Sequence, residues 1–312
     1  MPGTGLFFRL SPLLALAVLL TLLGVPGCSD DEVTPPAGLP TLRVVRTAAE
    51  LDTAFRTITS GDTIEIDGGF SGSQFVMTQG YVFEADVSPI LIRSTPRSTS
   101  RTEIVFPASA NGLTFRGHDG TRLTRLSFRG SLSTIVLDNA RVLIDTLEIR
   151  NPARDGVEAL GEACSGRVRG CLIEFRPVAS GGMGGRFGVS TGDRTRMTID
   201  KNTIIEAGDC GLYVGSNDTI ANNNTYRAHN FGVYFDEGST APTVFCNNAF
   251  QSTNANYRAE NEIGVPGENN FAVNPRFCPG SYRLRDTSEL TAANSGGCGL
   301  IGALDVEEGC GP

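Results

Sequence analysis

Gly211-Leu212-Tyr213-Val214 is followed, 21 residues on, by Gly232-Val233-Tyr234-Phe235, and this pair of tetrapeptides decides the fold. The same element, glycine-apolar-x-apolar, begins at Gly112, Gly156 and Gly188, and Thr134-Ile135-Val136-Leu137 fits with the glycine replaced. The starts lie 22, 22, 32, 23 and 21 residues apart. A second element follows each of the last five: Val142–Leu147, Val168–Ile173, Ile199–Ile204, Ile220–Thr225 and Val244–Ala249. Two short alternating strands per turn cannot enclose a core alone. Stacked about 4.8 Å apart, each pairs with its equivalent and the inward residues form apolar columns. The expectation is an all-β solenoid, a parallel β-helix over residues 42–312.

Working outward, Thr47-Ala48-Ala49-Glu50 has the form of a capping box, and Leu51, Ala54, Phe55 and Ile58 follow at helical spacing. A short amphipathic helix is expected to plug the N-terminal end, with Gly61–Ile66 beginning the first coil. The loop Pro177–Gly185 accounts for the one long repeat interval.

These residues resemble the right-handed parallel β-helix superfamily of pectate-lyase-like proteins, in its bacterial secreted and lipoprotein type. The resemblance covers about Leu42–Leu304 and implies that Asn202, Asn223 and Asn247 stack as an asparagine ladder. It also implies that Asn274–Phe277, Tyr282–Leu284 and Gly299–Ala303 form the closing coil.

Composition narrows the function. The 312 residues carry a net charge of −8, which argues against a nucleic-acid partner, since that needs a basic surface. His118 and His229 are the only histidines, so a multi-histidine metal site is not expected. Residues 1–27 read as a lipoprotein signal peptide, and the junction Leu23-Gly24-Val25-Pro26-Gly27-Cys28 resembles a lipobox with Pro26 as its departure. Cys28 is then the lipidated residue and 28–41 a tether. The protein is expected to be exported and held to a membrane by lipid only. By resemblance to a sorting rule, Ser29 favours the outer membrane or cell surface.

Seven cysteines follow Cys28 in an oxidising compartment. The expected pairs are Cys164–Cys171, Cys246–Cys278 and Cys298–Cys310. Cys210 is left as a core thiol, because strand alternation turns the residue before each glycine inward: Phe187, Cys210 and Phe231, with Asp155 breaking the column.

The same alternation turns Glu158, Tyr213, Tyr234 and Asp236 outward as a ligand-binding face. Aromatic rings there suit the apolar side of a pyranose and charged groups suit its hydroxyls or a uronate. Catalytic signatures are incomplete. Arg154, Arg186, Asp209 and His229 are the candidates, by faint likeness to the lyases and polygalacturonase-type hydrolases of this fold. No cofactor is evident; the resemblance brings calcium in if the protein is a lyase. Three readings follow: a cell-envelope lipoprotein binding a polysaccharide or surface glycan, a lyase or inverting hydrolase of uronic-acid polymers, and a purely structural surface protein.

Overall fold

Short apolar–polar alternations ending in Gly, Asn or Asp can bury one face only by stacking, and the computed structural model shows that outcome. It describes residues 40–69, 73–95, 101–176, 184–215, 217–239, 242–260 and 269–310. The signal peptide, Cys28, the tether up to residue 39 and residues 177–183 of the long loop lie outside them.

Among the described residues the strands form one nine-stranded and two eight-stranded parallel sheets, wound as a right-handed solenoid. In one eight-stranded sheet Val157, Val189, Leu212 and Val233 are register partners in turn, and all four are fully buried. We call this the tyrosine sheet, and the other eight-stranded one the tail-side sheet.

Thr47 caps the helix Ala48–Arg56 as expected. Its side chain accepts from the Glu50 N–H, and Glu50 reaches back to the cap. Leu51, Ala54, Phe55 and Ile58 are buried. The first strand nevertheless precedes the helix: Leu42–Val45 pairs with Thr63–Ile66. Asp62 fastens this start. Its carboxylate accepts from the main-chain N–H and hydroxyl groups of both Thr41 and Thr59.

The asparagine ladder runs through a corner between sheets. Asn202 Nδ2 donates to Asn223 Oδ1 at 2.9 Å, and Asn223 Nδ2 to Asn247 Oδ1 at 3.0 Å. Asn270 adds a rung beyond the repeat, 3.1 Å from Asn247 Nδ2. At the other end Cys171 occupies the position below Asn202 and donates its N–H to Asn202 Oδ1. The residue before each rung turns left-handed, at Gly170, Lys201, Asn222 and Cys246.

The cysteine pairing departs from expectation. The disulfides are Cys246–Cys298 and Cys278–Cys310, while Cys164 and Cys171 are free and buried, as is Cys210. The strand Ser165–Arg169 lies between Cys164 and Cys171. Extended backbone separates them by on the order of 15–20 Å, well beyond disulfide reach. The other two pairs exchange partners because the C-terminal segment, after Phe271 bridges in parallel to Asn248 at the end of the tail-side sheet, does not simply wind on as a further coil. It turns back and lies over the tail-side sheet. Val273 meets Asn248, Gly302 N–H donates to the Asn222 carbonyl, and Ala303 N–H donates to Thr203. Tyr282 reaches Glu174. Leu284, Leu290 and Ile301 make a second small core beneath it.

Candidate functional site

The glycine that opens each strand of the tyrosine sheet sets the geometry of its outer face. A Cβ on Gly188 would lie 2.5 Å from the Ile204 side chain and 2.6 Å from the Gly211 carbonyl. Glycine therefore faces inward, and so does the residue after it. Register runs Phe187↔Cys210 and then Val189↔Leu212, passing over the glycines. The residue before each glycine is thereby turned outward, which corrects the inward column inferred from strict alternation. Phe187 and Cys210 are buried, but they stand outside the main apolar core. Phe187 packs on Tyr213, and the Cys210 thiol meets Asp209. Burial and the Asp209 charge push that thiol far above its usual range.

Outward residues of consecutive coils then form one ladder, Glu158↔Ser190↔Tyr213↔Tyr234↔Arg258. The Phe187 and Tyr213 rings lie 4.8 Å apart and Tyr213 and Tyr234 5.3 Å apart, with planes 25° and 18° from parallel. Phe231 closes on Tyr234 at 5.2 Å, and the Arg186 guanidinium sits 4.3 Å over Phe187. The rings therefore use their faces on one another, and the edges and hydroxyls of the two tyrosines look outward. Tyr213 donates to Asp236 Oδ2 at 2.6 Å. Burial and the Asp236 carboxylate hold its hydroxyl well above the usual phenol range.

A second cluster stands at the Glu158 end of the ladder. Arg154 Nε donates to Asp155 Oδ2 at 2.9 Å and to Ser133 Oγ at 3.1 Å, while its Nη2 pairs with Glu158. Ser133 also donates to Glu158 at 3.1 Å. Asp155 is almost completely buried; that burial and the Glu158 charge raise its pKa against the opposing pull of Arg154.

Beside this cluster lies a groove of about 440 Å³. Val82, Val136 and Leu160 supply its apolar part, and Arg116, Asp138, Arg154 and Glu158 its charges. Arg116 is itself held between Glu84 and Asp138, at 3.2 and 3.7 Å.

Of the residues singled out from the sequence, Tyr213, Tyr234 and Asp236 come together, with Glu158 two coils away on the same ladder. The four catalytic candidates do not form one constellation. Arg154 is clamped by two carboxylates and Arg186 covers a ring. Asp209 accepts from Asn230 at 2.7 Å, which in turn accepts from Asn254. His229 is exposed in a turn and is tied there by its main-chain N–H to Ala207. Sequence reasoning missed Phe187 and Phe231 as outer rings, and missed Ser133, Arg116 and Asp138. The break in parity at Asp155, a charged residue in an otherwise apolar column, was the available signal.

Calcium takes six to eight oxygen ligands. Among the described residues no group of three or more acidic, histidine or cysteine side chains gathers to hold a metal. The carboxylates of this face are already engaged: Asp155 and Glu158 share Arg154, Asp138 meets Arg116 and Asp236 accepts from Tyr213. These residues do not fit calcium.

Residues 111–265 match the family model described as a right handed beta helix region. With the parallel register above, this match and the sheet order give the chain a right-handed parallel β-helix fold. Among solved structures, an alginate lyase from Paenibacillus sp. str. FPU-7 is similar at 16% identity, covering 74% of this chain and 98% of its own, with a TM-score of 0.42. Pectate lyase Pel9A is similar at 13% identity, covering 86% and 97%, with a TM-score of 0.43. No curated protein sequence matches.

Proposed function

We propose that the outer face of the tyrosine sheet binds an extended polysaccharide. The observation that carries this reading is the groove itself, where Arg116, Asp138, Arg154 and Glu158 stand beside Val82, Val136 and Leu160. Planar guanidinium and carboxylate groups fit vicinal hydroxyls bidentately, and the apolar side chains take the C–H faces of the sugar ring. The coils repeat at about 4.8 Å, close to the length of one pyranose unit, so successive sugars meet equivalent positions. The tyrosine ridge continues the track with hydroxyl groups at its edge. Retardation of the purified protein in native gels cast with each of a panel of polysaccharides tests the reading. Identical migration in every gel would refute it.

A second reading, an enzyme acting in the same groove, draws on Asp155 and Glu158. They are two carboxylates on one arginine, and burial raises the pKa of Asp155. Appearance of unsaturated uronides marks a lyase, and new reducing ends without them mark a hydrolase. We place the protein outside the cytoplasm, anchored by lipid on Cys28 at the outer membrane or cell surface. The lipobox-like sequence and the acidic, proline-containing segment after it support this reading.

A further inference from the structure

Another concavity lies on a different face. A cleft of about 940 Å³ opens between the tail-side sheet and the edge of the C-terminal segment. Its floor carries Glu148, Arg150, Leu172 and Glu174, and its lips are Gly280–Arg283 and Ala303–Asp305.

The lips are prearranged. Leu284 and Arg285 pair with Val306 and Glu307, and Ser281 donates to the Glu307 carboxylate at 3.1 Å. The Cys278–Cys310 disulfide links the two segments that carry this parallel pair, and Tyr282 donates to Glu174 Oε1 at 3.0 Å, joining lip to floor. On the floor Arg150 is oriented by Glu148, with Glu103 and Glu174 each 3.9 Å away. A site whose walls are fixed before the ligand arrives loses little entropy in ordering them.

The charges of the lining balance. Arg101, Arg150 and Arg283 face Glu148, Glu174 and Asp305. Among the described residues Arg283 and Asp305 form no ion pair and are exposed, and Arg101 lies within the field of the Glu148 carboxylate. A polyanion would meet three carboxylates and a polycation three guanidinium groups, whereas a neutral polyol meets donors and acceptors in equal supply. The Tyr282 ring, Leu172 and Leu304 add the apolar surface that a sugar's C–H face needs.

We propose that this cleft is a second carbohydrate site, selective for a neutral oligosaccharide and separate from the groove on the tyrosine sheet. The test uses full-length protein carrying Arg116→Ala and Leu160→Ala, exposed changes that disable the groove and leave the cleft intact. Cellohexaose, mannohexaose, xylohexaose and galactohexaose are titrated against it by calorimetry and saturation-transfer NMR, with hexagalacturonate as the acidic comparator. At least one neutral hexasaccharide binds, and hexagalacturonate binds it more weakly. Adding Arg283→Ala, an exposed change, or Tyr282→Phe, which keeps the ring, weakens the neutral ligand by about tenfold. No binding of any neutral hexasaccharide overturns the proposal. So does binding that neither variant alters, or a preference for hexagalacturonate. Binding lost with Arg116→Ala and Leu160→Ala alone places the ligand in the groove and likewise overturns it.

Discussion

Tyr213 and Tyr234 are register partners on consecutive coils, and their rings stack at 5.3 Å with planes 18° apart. Outward tyrosines are here part of the packing, because Phe187, Phe231 and Cys210 close round them. An aromatic pair contributes about 0.5–1.5 kcal/mol beyond its area burial. Tyr213→Ala with Tyr234→Ala is therefore expected to lower unfolding free energy by about 2–4 kcal/mol in urea titration. Tyr213→Phe loses only the bond to Asp236, about 1 kcal/mol. A double variant as stable as the parent would show that the rings do not support the coil.

The asparagine ladder carries more. Asn223 is fully buried; its Nδ2 donates to the Ile199 carbonyl and to Asn247, and its Oδ1 accepts twice from Asn202. Asn223→Ala strands those partners, each costing about 1–3 kcal/mol. We expect a loss of at least about 3 kcal/mol by the same titration.

Asp62 makes the N-terminal cap acid-sensitive. Burial pushes its pKa up, but hydrogen bonds from Thr41 and Thr59 outweigh that and bring it down to about 2 from 3.8. A depressed carboxyl stabilises the fold above its unfolded value and loses that contribution as pH falls through the folded one. Stability should drop by on the order of 2 kcal/mol between pH 3.8 and about 2 from this group. Asp62→Asn should remove that part of the pH dependence in urea titrations across the window and lower stability at neutral pH.

Cys28 is expected to be the first residue of the mature chain. Cys28→Ser should move the protein from the membrane to the soluble fraction, with mass spectrometry showing loss of lipid from the mature N-terminus. Undiminished membrane retention would contradict the anchor.

The sequence made the solenoid legible because the repeat interval and the two-residue alternation are strong, local and redundant over many coils. Thr47 and Glu50 announced the helix for the same reason. Two things escaped it. A glycine at the strand start rotates the residue before it, so parity counting sent Phe187 and Cys210 to the wrong side. The C-terminal segment meets coils about 100 residues earlier, at Thr203 and Glu174, and no periodicity records such contacts. The exchanged disulfides follow from that route. Tyr213, Tyr234 and Asp236 were legible as an outer cluster, whereas the groove around Arg116 and Leu160 emerges only when three coils are stacked.

The polysaccharide-binding account is tested most directly by Arg116→Ala with Leu160→Ala, measured on a polysaccharide that retards the parent in affinity gels. Both side chains are substantially exposed, so the thermal midpoint should shift little. The account predicts a dissociation constant raised by about tenfold or more, since the groove loses a guanidinium and an apolar contact together. Retardation equal to that of the parent, at equal stability, would contradict it.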